Sequence, residues 1–498
     1  MTVPGPDPAV DLLWQRLSPR MLLVHPVHEV LRQIPLIVGA VVLGSATGNP
    51  LWSVSALTVT VGFGVARWFT TTYRIEPDEV QLRAGVLQRT VISVPRNRIR
   101  SVQTEARLLH QLLGLTVLRV STGQEAKGDT KFALDAVRAQ EVPRLRAILL
   151  ADSLTGADDA GGERAVVGRE LARWHPSWLR YSPLSFTGLA MIAAAVGVVY
   201  QAGIGAALQH SRLAESGRDA AERFGVVASV VLVAVVVVAV SVVLSVLRSL
   251  LTYGNLVLRR DAGDQGGVLH LDHGLLRKQE HTFDMRRLRG GTLRQPLLVR
   301  LLGGARLDAV MTGVGGEGEA SLLLPPCPER TAESVLVELI GNPDAVSGPL
   351  RRHGSAATRR RWTRALALPV VVALALAVAS LFVGLPVWVW FVTAALAVCA
   401  ALLAADRARA LGHRVDGGWL VARAGSLERR RDCIAAPGII GWTVRQTFLQ
   451  RRAGVATLVA ATAAGVKRYR VIDVPAELAW SIAATASPWV AGCAWVRA

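Results

Sequence analysis

Lysine is nearly missing from this sequence: Lys127, Lys131, Lys278 and Lys467 are the four lysines among 56 basic residues. The rest are arginine, and the Ala, Gly and Val around them mark a GC-rich bacterial coding bias rather than a chosen chemistry. Cysteine is scarce as well. Cys327, Cys399, Cys433 and Cys493 show no CxxC and no short pairing, which excludes a disulfide framework and predicts domains facing a reducing cytoplasm. Aromatic residues reach only 5%, yet 13 of them are Trp, a side chain favoured at membrane–water interfaces. Charge is low too, 19% against 51% hydrophobic residues. With a mean hydropathy of +0.36, that balance excludes a disordered chain and argues against a purely soluble one. Residues 1–11 are Pro-rich and carry neither a basic n-region nor an apolar core, so no signal peptide is expected.

Chemical signatures are also lacking. There is no HExxH, GxSxG or Walker A sequence and no pair of carboxylates on a recognisable frame. Residues 313–318 fit GxGxxG, but the phosphate-cradle reading needs a helix opening directly behind it, and Leu-rich sequence ending in Pro-Pro follows instead. A β-turn is expected there. His25 and His28 flank Pro26, and His175 precedes Pro176. With no carboxylate or cysteine at metal spacing, these read as interfacial histidines. We expect no enzyme, no cofactor and no metal.

What the chain does have is uncharged length. No charged residue lies between Arg32 and Arg67 or between Arg364 and Asp406, and those between Arg180 and Arg248 cluster from Arg212 to Arg223. One span needs about 20 apolar residues. Turn compositions at 45–50 and 384–386 divide the first and third blocks. Six helices are expected, near 34–46, 51–69, 184–208, 224–247, 366–383 and 387–405, in three hairpins. Arginines flank each hairpin, whereas the turns within the first and third are uncharged and the middle one is balanced. The positive-inside rule then leaves both termini and every long segment in the cytoplasm.

The polar segments after the hairpins repeat. Arg83-Ala-Gly-Val-Leu-Gln-Arg89 matches Arg423-Ala-Gly-Ser-Leu-Glu-Arg429 at an offset of 340, which also sets Gly114 on Gly454 and Leu118 on Leu458. An offset of 189 sets Gly85 on Gly274, Leu87 on Leu276, Gly114 on Gly303 and Leu118 on Leu307. Period-two alternation, as in Ile99-Arg-Ser-Val-Gln-Thr-Glu105, predicts short strands, and helical spacing at Val142, Leu145, Ile148 and Leu149 predicts a closing helix. About seven strands and one helix make a small barrel or sandwich.

Tyr73-Arg-Ile, Gly85-Val-Leu, Val94-Pro-Arg-Asn-Arg-Ile-Arg-Ser-Val102 and Leu112-Leu-Gly-Leu115 behind a paired-helix hairpin resemble the bacterial pleckstrin-homology-like (PH-like) membrane family of the YdbS/YdbT type. The later segments have drifted: Asp284 and Ala435 replace Pro95, and Gly438 replaces Arg98. The resemblance implies two orthogonal antiparallel sheets closed by a C-terminal helix, and carries no activity or ligand residue with it. The expected fold is an α+β membrane protein of six helices in three hairpins, each followed by a small cytoplasmic PH-like barrel. The expected divisions are an N-terminal segment 1–33, hairpins 34–70, 181–251 and 365–405, PH-like domains 71–151, 252–342 and 406–498, a linker 152–180 and a basic linker 343–364.

Arginine supplies the candidate contacts. Arg96, Arg98 and Arg100 alternate, so a strand would carry them on one face. Arg286, Arg287 and Arg289 stand at the matching place, and Arg429, Arg430 and Arg431 form a third cluster. Beside an anionic leaflet each gains about 1 kcal/mol; otherwise they are a topology signal and a solvated face. Nucleic acid is not expected, because aromatic interleaving is absent. The expected function is a non-enzymatic scaffold in the bacterial plasma membrane, taking a protein partner, another copy of itself or anionic lipid headgroups. The rival reading is transport or lipid handling through the six helices. Span interiors holding little beyond Ser, Thr and Gly weigh against that.

Overall fold

Alternating burial along short strands, rather than long amphipathic helices, builds most of the polar part of the chain. The computed structural model describes residues 14–21, most of 55–121 and 133–149, and all of 168–184, 226–261, 267–313 and 321–492. It divides into two compact units, residues 1–173 with 251–287, and residues 174–250 with 288–498.

The first unit holds two antiparallel sheets. One runs in the order of β1 (Gln15–Arg16), β2 (Thr72–Ile75), β3 (Glu79–Ala84) and β4 (Thr90–Pro95). The other contains β5 (Ser101–Ala106), β6 (Leu115–Ser121), β7 (Ala133–Arg138), β8 (Arg169–Arg173), β9 (Val257–Asp261), β10 (Val268–His273) and β11 (Lys278–Asp284). Its order is β7-β6-β5-β11-β10-β9-β8. Alternate residues Val80 and Leu82 of β3 point inward and meet Val102, Leu118 and Leu134 from the larger sheet. Val142, Leu145 and Leu149 cover the same core, with residues 142–145 helical, as their spacing predicts.

The second unit repeats the plan. Its larger sheet contains β12 (Leu288–Pro296), β13 (Gly304–Met311), β14 (Leu322–Pro328), β15 (Gly412–Asp416), β16 (Trp419–Ala424) and β17 (Glu428–Ala435). They lie in the order β14-β13-β12-β17-β16-β15. A three-stranded sheet follows, β18 (Ile439–Arg445), β19 (Val455–Thr462) and β20 (Arg468–Pro475). Leu420, Ile434, Leu458 and Val471 pack there against Ala479, Ile482 and Ala483 of the last helix, Ala479–Ala486.

The internal offsets hold in the backbone. Gly114, Gly303 and Gly454 each follow a five-residue helix (Leu108–Leu112, Leu297–Leu301, Phe448–Arg452) and precede a strand. Their φ values are 65°, 71° and 65°, a conformation that glycine alone adopts without penalty. The strand behind each glycine carries a register shift at the same place, Thr116/Leu118, Ala305/Leu307 and Ala456/Leu458. One expectation changes. The stretch 252–342, read as one self-contained middle domain, is divided: β9 to β11 belong to the first unit's sheet and β12 to β14 to the second unit's. Strand edges available for backbone pairing have merged neighbouring segments into continuous sheets.

Among the described residues, three helices are long and apolar enough to cross a membrane: Val235–Tyr253, Gly354–Ser380 and Val387–Ala410. The 27 residues of Gly354–Ser380 span ~40 Å at 1.5 Å each, and Leu368, Val371 and Leu374 are exposed along it. This helix starts earlier than the expected 366, so Arg359, Arg360, Arg361 and Arg364 form its opening turns, within the stretch read as a basic linker. Nearly all of the first hairpin, the 184–208 helix, the 210–223 turn and residues 314–318 lie outside the described residues.

Candidate functional site

The seams where segments merge carry the most specific polar chemistry. In the first unit β5 pairs with β11, from Lys278 opposite Ala106 to Thr282 opposite Val102. In the second, β12 pairs with β17, from Gly290 opposite Ile434 to Pro296 opposite Glu428. The repeat offsets convert one pairing into the other without a slip: Lys278 and Ala106 correspond to Arg429 and Gln295, which also face each other.

Each seam is pinned by three charges at equivalent positions, and their signs are inverted. At the first seam Glu105 is buried, with Arg119 Nη2 at 3.0 Å on one side and Arg277 Nε at 2.6 Å on the other. At the second seam Arg294 is buried, with Asp308 Oδ2 at 2.6 Å and Glu428 Oε1 at 3.4 Å. Arg306 also reaches Asp308 at 2.9 Å. Burial pushes the Asp308 carboxyl above its ordinary pKa, against the pull of Arg306 and Arg294. Thr292 donates to Asp432 at 2.8 Å across the seam, and burial raises the Asp432 pKa too. A buried charge of this kind is tolerated only when paired, so the signs specify which edges belong together.

Beside the second seam lies a cleft of about 720 Å³ lined by Thr292, Asp308, Asp432 and Tyr469, with Arg468 and Arg470 at its side. Lys467, Arg468 and Arg470 are exposed. Arg468 and Arg470 alternate on β20 and so share a face. Sequence reasoning passed over this basic rim, although Lys467-Arg-Tyr-Arg470 announces it.

The expected arginine clusters land differently. Arg96 is buried, 9% exposed, in a 3-10 turn after β4 and not on a strand; Arg98 and Arg100 lie outside the described residues. Arg96 is thus off the strand face expected for it, because β4 ends at Pro95. Arg286 and Arg287 occupy the equivalent 3-10 turn, Met285–Arg287, and both reach Asp284, at 3.3 and 3.5 Å. Arg287 also donates to the Ile99 carbonyl. Arg289 belongs to the other unit and packs at Gly438. In the third cluster Arg429 pairs with Asp406 and Arg430 with Glu428, while buried Arg431 donates to the Ala345 and Gly348 carbonyls. Arg286 is the most open of the described arginines in the first two clusters.

A second polar cluster ties the last apolar hairpin to its sheet. Arg360 and Arg361 meet Asp473 at 2.7 and 2.6 Å, and Asp473 is fully buried. His353 Nδ1 lies 2.8 Å from the Ile472 carbonyl and its Nε2 lies 2.8 Å from His413 Nδ1.

Comparison with known proteins places this architecture. Residues 30–153 and 365–486 each match the bacterial PH domain family. No curated protein and no solved structure matches the chain. The two matched stretches contain the first uncharged block with β2 to β7 and the last pair of apolar helices with β15 to β20, the segments whose glycines, bulges and closing helices coincide. With that repeat on both sides of its middle segment, the chain is a bacterial PH-like domain protein.

Proposed function

We propose that this chain is a non-enzymatic scaffold anchored in the bacterial plasma membrane, with six helices in three hairpins holding three PH-like copies at the cytoplasmic face. The middle copy is read from 252–342, whose strand and helix order follows the other two. The copies present sheet edges and a basic rim to a protein partner, another copy of the chain or anionic headgroups.

One observation carries this reading. Each apolar block begins and ends on adjacent strands. β1 pairs with β2 around the first block, β8 with β9 around the second, and Arg351 with His413 around the third. A chain that leaves a sheet and returns to the neighbouring strand crosses a bilayer an even number of times, and the uncharged length of each block fits the two helices expected in it. Reporter fusions after Asp152, Ser347 and Ala498 should report cytoplasm, and fusions at Gly48, Ser216 and Leu385 the outside. A long segment found outside would overturn the scaffold topology. For the lipid arm, Arg286, Lys467, Arg468 and Arg470 are the exposed side chains, and the approach of vesicles should weaken as salt screens them over ~8–10 Å.

A further inference from the structure

Among the strands that end a sheet in the described residues are β4 in the first unit and β18 in the second. The repeat identifies both. The offsets set β4 on β11 and β17, the third strands of their segments, and set β18 on β5 and β12, the fourth strands. Each seam within the chain joins the fourth strand of one segment to the third strand of the next. The chain makes this joint twice in one register and leaves one half unused at each end.

We propose that β18 of one molecule pairs antiparallel with β4 of a second, repeating the internal joint between chains and assembling the protein head to tail. The inference rests on the scaffold reading and deepens it by naming the partner. Carrying the internal register across sets Thr90 opposite Arg445, Val91 opposite Val444 and Ile92 opposite Thr443. No like charges meet: β4 contains no charged residue and β18 contains only Arg445. Edges that must stay single are usually blunted with charge or bulges; β4 carries no charge and pairs with β3 without a register shift, leaving Val91 52% exposed, and the bulge of β18 at Ile439/Gly441 is one that β12 also carries, at Leu288/Gly290, while paired on both sides.

The charges distinguish this joint from the internal ones. Glu105 and Arg294 are buried with partners on both sides. The equivalent residue on β18 is Arg445, which is exposed, and the residue equivalent to Arg119 and Asp308 is Val459. An edge that spends time unpaired cannot hold a buried charge whose second partner comes from another molecule, because the stranded charge would be costly. The outer joint therefore keeps the backbone register and omits the buried triad, as a joint that forms and parts requires. Unlike halves meeting in this way make a heterologous contact, which closes into a ring or extends as a filament.

The test uses the full chain in membranes or detergent, with Cys399→Ala and Cys493→Ala and the buried Cys327 and Cys433 retained. Differently tagged Val91→Cys and Val444→Cys proteins are mixed and oxidised. A disulfide-linked heterodimer is expected from the mixture and from neither protein alone. Pairing Val91→Cys with Trp442→Cys should give only background, since diagonal Cβ atoms lie beyond disulfide reach. An exposed pair supplies an independent measurement by light scattering. Thr90→Glu should raise the assembled fraction about two- to fivefold and Thr90→Arg lower it as much, with the order reversed in an Arg445→Glu background. The proposal is overturned if no heterodimer forms, if all registers cross-link equally, or if only a Val91→Cys/Val444→Cys chain closes on itself. It is also overturned by insensitivity to the charge swap. Failure here leaves the reporter topology standing, whereas failure of the topology would appear in the fusions alone.

Discussion

At the scale of single residues, buried histidines set the response to acid. In the second unit His353 donates from Nδ1 to the Ile472 carbonyl, so its neutral Nε2 accepts from His413 Nδ1 at 2.8 Å. Burial, reinforced by the neighbouring His353, pushes His413 down to about 4. Burial and the nearby His273 do the same to His281 in the first unit, also about 4. Both are folded-state pKa values below the ordinary 6.5, so between the two values the unfolded chain binds more protons than the folded one. Stability is then fully present above about pH 6.5 and is lost as pH falls toward 4, by about 2 kcal/mol per histidine between pH 6.5 and 5. Thermal unfolding at pH 7 and pH 5 should show the loss, and His413→Gln should flatten it; an equal slope in that variant would assign the effect elsewhere. Glycine gives a contrast that separates conformation from space. A Cβ at Gly303 would meet no atom within 4 Å, so Gly303→Ala should cost only the left-handed backbone penalty, about 1 kcal/mol. A Cβ at Gly290 would overlap the Cys433 carbonyl across the second seam, and Gly290→Ala should part β12 from β17, seen as faster amide exchange along both strands.

Among the elements, the seams decide which strands are neighbours. Arg294→Ala would leave Asp308 and Glu428 without the cation that lies between them, at a cost of about 3–5 kcal/mol for breaking a buried pair. Adding Asp308→Asn should recover part of it, and denaturant unfolding of the single and double variants reads the difference; equal losses would mean the triad does not act as a unit. The sequence announces much of this architecture. Strands follow from period-two alternation, as at Val80 and Leu82, and the repeat follows from Gly114, Gly303 and Gly454, because a left-handed turn admits little else. The pairing of segments was not legible. Glu105 and Arg294 occupy equivalent positions with opposite signs, and each looks like an ordinary outward charge on an alternating strand until the edge strand of the next segment closes over it. The placing of the arginines was hidden for a related reason: Arg287 and Arg431 are long enough to turn inward and meet carbonyls supplied from far along the chain.

For the whole molecule, the relation between apolar hairpins and sheets is one of insertion. Arg351 and His413 exchange both backbone hydrogen bonds, at 2.8 and 3.1 Å, so their Cα atoms stand about 5.5 Å apart. All that lies between them, including the helices Gly354–Ser380 and Val387–Ala410, is a detour between neighbouring strands. Geometry alone would let an Asn-Gly turn replace residues 352–412, since two such residues close an antiparallel pair. Electrostatics opposes it. Arg360 and Arg361 are the cations that reach Asp473, a carboxylate buried to 0% exposure that also accepts from the Gln450 amide. Removing the hairpin leaves that carboxylate beside an amide in place of two guanidinium groups, a loss of about 3–5 kcal/mol. The shortened chain should therefore fold poorly in detergent, and the same chain with Asp473→Asn should regain a cooperative transition, because the amide can keep the Gln450 contact without a charge to satisfy. Circular dichroism melts of the two shortened chains would separate the cases. Folding of both would show that the hairpin is an anchor electrostatically independent of its sheet, and folding of neither would show that apolar packing at Ala357 and Ala404, both buried where the helices meet the rest of the unit, holds the two together.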